Sequence, residues 1–122
     1  MKNKKEDFGD ELAERFLNFA VGIIKLTATL PKTPAGKHIA DQLLRCGTSP
    51  GANYEEARGA ESRKDFIHKL GVVFKETKES RYWLKLILVS KMLPHNKVAS
   101  LLTEAEELIA IVGKSIMTAR SK

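Results

Sequence analysis

Residues 62–92 read SRKDFIHKLGVVFKETKESRYWLKLILVSKM, and this stretch decides the fold. Phe66, Leu70, Val73, Thr77, Leu84 and Leu88 recur at steps of three, four and seven. That spacing draws one stripe down a helix of about seven turns, with no period-two alternation to compete with it. Ser62, just past Gly59, suits the N-cap, because its hydroxyl can accept an otherwise orphaned amide N–H. Met92-Leu93-Pro94-His95-Asn96 makes the corner that ends the segment.

The same period extends in both directions. Leu12, Phe16, Phe19, Ile23, Leu26 and Leu30 line a first helix, closed by Leu30-Pro31-Lys32-Thr33-Pro34. A second helix carries Ile39, Leu43 and Cys46; Gly47, Pro50 and Gly51 interrupt it, but helical spacing resumes through Tyr54 and Ala57. A kink near Pro50 therefore fits better than a stop. Val98, Leu101, Ala105, Leu108, Val112 and Ile116 form a fourth stripe, with Glu104, Glu106 and Glu107 toward its start and Lys114 and Arg120 toward its end. The expected helices span roughly 8–30, 35–59, 62–92 and 96–119 of one 122-residue domain. Short corners between long helices predict an all-α, antiparallel up-down-up-down four-helix bundle.

Composition agrees with a globular chain, at 43% hydrophobic and 30% charged residues. The lone Cys46 has no partner for an internal disulfide and reads as a small core hydrophobe in a reducing compartment. Met1-Lys2-Asn3-Lys4-Lys5-Glu6-Asp7 runs into acids without an apolar h-region, which argues against a secretory signal. No apolar run approaches the roughly 18 residues of a membrane span, so a cytoplasmic protein away from the membrane is expected. The net charge of +6 is unevenly placed. Residues 1–61 hold nine bases and nine acids, whereas residues 62–122 hold twelve and six. A polyanion is a natural partner for such a surface.

Enzyme chemistry finds little support. A di-iron bundle needs Glu-x-x-His pairs on two helices. Only Asp65-Phe66-Ile67-His68 approaches that form, and His38 and His95 have no carboxylate three residues before them. Neither Cys46 nor Ser49 has a histidine at useful sequence distance. Gly47-Thr48-Ser49-Pro50-Gly51 lacks the strand and the Gly-Lys-Ser/Thr ending of a phosphate loop. No catalytic residue, metal site or cofactor is expected.

Three surfaces carry the functional expectations. Lys64, Lys75, Lys78 and Lys85 project within about 80° of one another on the third helix, with Tyr82 among them. This arrangement suits contacts with nucleic-acid phosphates. Val72, Trp83 and Leu86 make a second apolar face on the same helix and fit an oligomer interface with Trp83 as its anchor. Ser49, Asn53 and Glu56 follow Cys46 at helical steps and are expected along the core seam. There they would either pair with Lys75, Glu79 and Tyr82 in a closed network or line a pocket.

The run Arg45-Cys46-Gly47-Thr48-Ser49-Pro50-Gly51-Ala52-Asn53-Tyr54-Glu55-Glu56-Ala57 resembles the signature Arg-x-x-x-Ser-x-x-Ala-Asn-x-x-Glu of the 23S rRNA intervening-sequence proteins, also called the four helix bundle protein family. Ser62, Asp65-Phe66, Lys69, Lys75-Glu76 and Tyr82-Trp83-Leu84 are similar to that family's third-helix pattern. Many members carry proline one residue later, where this chain has Gly51. The resemblance implies a four-helix bundle assembled into a ring, most often a homopentamer, and brings no catalytic residues. It also implies a fold similar to the basic, RNA-associated accessory proteins of diversity-generating retroelements. The expected function is a non-enzymatic homo-oligomer that binds RNA or other nucleic acid. The rival expectation is a protein–protein scaffold that binds none.

Overall fold

In a computed structural model, which describes residues 3–122, the chain forms four α-helices: α1 (Lys4–Thr27), α2 (Pro34–Arg58), α3 (Arg63–Val89) and α4 (His95–Arg120). No strand occurs among the described residues. The first three helices are started by side chains. Asn3 accepts the Glu6 amide N–H at 2.8 Å, Thr33 that of Gly36 at 3.1 Å and Ser62 that of Asp65 at 3.0 Å. Pro34 opens α2, at a position where its missing N–H has no intrahelical partner to lose. The third corner turns on Lys91, held at φ 59°, with Met92 N–H donating to the Ile87 carbonyl and Lys91 N–H to that of Leu88. This is a Schellman ending built without glycine.

Each helix packs against two others: α1 on α2 and α4, and α3 on α2 and α4. Among the described residues, the backbones of the diagonal pairs stay farther apart, with no two Cα atoms within 8 Å, which is the cyclic order of an up-down-up-down bundle. The α2–α3 seam is the most extensive and the α1–α4 seam the slightest. The predicted stripe of α1 is buried along its whole length, from Leu12 to Leu30. On α3 the stripe holds through Leu70, Val73, Thr77 and Leu84, but Ser80 and Ile87 are fully buried and Leu88 is only half-buried. Thr77 and Ser80 enter the core because their hydroxyls donate to the carbonyls of Val73 and Glu76, one turn back on the same helix.

The glycines of α2 serve its packing against α1. Helix α2 continues through Gly47, Pro50 and Gly51 as one element. A Cβ placed on Gly47 would lie 2.8 Å from two carbons of Ile23, and one on Gly51 would lie 3.3 Å from the Cβ of Phe16. These residues let α1 and α2 approach backbone to side chain, and the buried Pro50 ring joins the same surface.

Gly47→Ala is expected to destabilise the chain by about 1–3 kcal/mol, because a branched, fully buried neighbour has no room to withdraw. Gly71 has open space around its Cβ position, so Gly71→Ala should stabilise by about 0.5–1 kcal/mol. Urea unfolding of the two variants checks the opposite signs.

Candidate nucleic-acid interface

Helix α3 sorts its charges by face. Lys64, Lys75, Lys78, Tyr82 and Lys85 are all exposed on the outer side, over a length of about 30 Å at 1.5 Å per residue. Among the described residues none of these lysines lies within ion-pair distance of a carboxylate. Lys78 Nζ sits 5.2 Å from the centre of the Phe74 ring, one turn back, which steadies the ammonium without neutralising it. Tyr82 is 58% exposed, and its ring meets Trp83 edge-on at 5.1 Å.

The acids of the helix face elsewhere. Asp65 pairs with Lys69 at 3.2 Å. Arg45 reaches across from α2 to Glu76 at 3.3 Å and Glu79 at 2.5 Å. Glu79 also accepts the indole N–H of Trp83 at 3.0 Å. That hydrogen bond, followed by the Arg45 contact, holds the Glu79 carboxyl below its ordinary pKa despite some opposing desolvation. His38 of α2 closes the cluster, its ring edge-on to Trp83 at 5.8 Å. Arg45, the first residue of the family-like signature, is thereby a clamp between α2 and α3.

Trp83 and Leu86 are half-buried and packed on the core, and Val72 is half-buried as well. A stripe of exposed apolar side chains also lies on α1, where Leu17 (64% exposed), Val21 and Ile24 (51% exposed) step by four and three. That spacing was present in the sequence, on the side of α1 opposite its core stripe. Leu44 of α2, also exposed, sits one turn before Gly47.

Ser49, Asn53 and Glu56 do not continue the core seam. The buried line of α2 passes from Cys46 and Gly47 through Pro50, Tyr54 and Ala57. Cys46 stands at the α3 edge of that line, beside Ser80, so steps of three from it rotate off the core. Asn53 donates its side-chain N–H to the Ser49 hydroxyl at 2.9 Å and to the Ser49 carbonyl at 3.0 Å; Glu56 is exposed. The expected bonds to Lys75, Glu79 and Tyr82 are not made among the described residues. Burial pushes the Cys46 thiol up to about 11, which keeps it protonated and unreactive at neutral pH.

The model of the 23S rRNA-intervening sequence protein family matches residues 11–114. The chain belongs to that family. A solved structure from Bacteroides thetaiotaomicron, described as a protein of unknown function from the S23 ribosomal protein family, superimposes with a TM-score of 0.80 at 34% identity. The match covers 86% of this chain and 97% of that one. No curated protein matches the chain. Among the described residues, no helix is long and apolar enough to cross a membrane.

Glu79→Gln is expected to lower stability at pH 7 by about 1 kcal/mol, because a charged acceptor is lost from a partly solvated cluster. The native carboxyl titrates below its unfolded value, so its contribution is complete above the ordinary glutamate range and is lost as pH falls through the folded pKa. Urea midpoints of the two proteins should therefore converge in acid.

Proposed function

We propose that this family member is a non-enzymatic, self-associating bundle that binds RNA or other nucleic acid along the outer face of α3. The observation that carries the reading is the ridge of Lys64, Lys75, Lys78 and Lys85, which has no carboxylate at ion-pair distance among the described residues. Unpaired ammonium groups release counterions from a phosphate backbone, and Tyr82 offers an exposed ring for an unstacked base. Repetition of the ridge around a ring of copies, a homopentamer by the family resemblance, would multiply the phosphates engaged.

Self-association in this reading uses the α1 stripe of Leu17, Val21 and Ile24, since large apolar side chains at helical spacing mark contact surfaces. Val72, Trp83 and Leu86 offer the second candidate face, but Trp83 and Leu86 already pack on the core and Trp83 meets His38 of α2.

Anisotropy of a labelled single-stranded RNA, titrated at increasing salt, tests the binding. The expected log–log slope is about −0.7 for each phosphate neutralised, and a protein carrying Lys75→Glu and Lys78→Glu should bind at least about tenfold more weakly. A salt-independent affinity, or full binding by that variant, removes the proposal. Light scattering tests the assembly. Leu17→Glu should reduce the mass while Trp83→Ala preserves it, and the reverse result would assign the contact to α3.

A further inference from the structure

At the end of the bundle where α1 and α3 begin and α2 and α4 finish, the four helices enclose a cleft of about 860 Å³. It exists because the α1–α4 seam is fastened elsewhere. Arg15 bridges to Glu104 at 2.6 Å and Glu107 at 2.9 Å, and Leu101 lies where a Cβ on Gly22 would come within 2.7 Å. Toward the start of α1 the two helices instead supply separate walls, Phe8 and Gly9 on one side and Ile111, Ser115 and Thr118 on the other.

The chemistry of those walls is one-sided. The interior is apolar, with Phe66, Leu70, Ala57 and Ile111 joined by Phe8, which is left 49% exposed. Five lining residues are cationic, Lys5, Arg58, Arg63, Lys114 and Lys122, and none is acidic. Arg58 is engaged by Asp10 and Glu55, and Arg63 donates to the Lys122 carbonyl. Lys5 and Lys114 have no ion-pair partner among the described residues. Tyr54 also lines the cleft. It is only 5% exposed, yet its hydroxyl has no hydrogen-bond partner among the described residues. Its O–H is therefore accessible to solvent and free to donate to an acceptor bound in the cleft.

We propose that this cleft binds a small amphipathic anion, an apolar chain ending in a carboxylate. The chain would cover Phe8 and lie against Phe66, Leu70 and Ile111, while the carboxylate meets Lys5, Lys114 and the Tyr54 hydroxyl. The volume lies within the roughly 300–1,000 Å³ typical of small-molecule sites. Cations around an apolar interior select against neutral and positively charged chains.

Isothermal titration of the full chain with dodecanoate, below its micelle-forming concentration, tests the site. Saturable binding at one site per chain is expected. Lys114→Glu should weaken it at least about tenfold, and Thr118→Trp, which fills the cleft from an exposed position, should abolish it. Circular dichroism confirms that both variants remain helical. The protein carrying Lys75→Glu and Lys78→Glu should bind dodecanoate normally, so failure of the nucleic-acid reading leaves this result intact. The proposal is overturned if dodecanoate does not bind, if dodecyltrimethylammonium binds equally well, or if helical Thr118→Trp protein binds unchanged.

Discussion

The close approach of α1 to α2 at Gly47 is the constraint on which the rest of the bundle depends. Ile23 is fully buried against a backbone that carries no side chain, and Gly51 repeats the arrangement one turn later beside Phe16. Such contact requires that Gly47, Pro50 and Gly51 all lie within a helix, although each residue by itself weakens one. Packing of a fully buried face outweighs those local preferences. With α1 drawn onto α2, its core stripe is committed, and Leu17, Val21 and Ile24 are turned outward.

The opposite flank of α2 is held by charge and by an aromatic cluster. Arg45, Glu76, Glu79, Trp83 and His38 join α2 to α3 at partly exposed positions, where each ion pair alone is worth little. The cluster's value lies in register. A guanidinium that spans two carboxylates, one of which also accepts an indole N–H, tolerates no slip by a turn. The two seams of α2 thus differ in kind, with van der Waals contact against α1 and directed bonds against α3.

Much of this was legible in the sequence. Four stripes at helical spacing gave the helix count, the corners gave antiparallel order, and the signature beginning at Arg45 pointed to the family. Helix ends differed because capping, not apolar spacing, determines them: Asn3 starts α1 four residues earlier than Phe8 suggested. The polar residues after Cys46 were misplaced because periodicity reports the angle between residues, not which residue marks the centre of the buried face. Cys46 sits at an edge, so the extrapolation from it drifted to Ser49 and Asn53. The Arg45 clamp and the cleft could not be read at all. Both depend on which turns of separate helices stand at the same height, and no spacing within one helix carries that information.

The same pairing accounts for the one-sided charge of α3. Residues 62–92 hold eight bases and three acids, and every one of those acids, Asp65, Glu76 and Glu79, is drawn to a flank by Lys69 or Arg45. On α4, Glu104 and Glu107 are likewise engaged by Arg15. Ion pairs, between helices in every case but Asp65–Lys69, therefore engage five of the six acids of residues 62–122. What remains facing outward along α3 is more positive than the composition of the helix alone would suggest. The electrostatic field of that face follows from how the bundle is fastened together. A change at Arg45 would both loosen the α2–α3 seam and release two carboxylates beside the lysine ridge, coupling stability to surface potential through one residue.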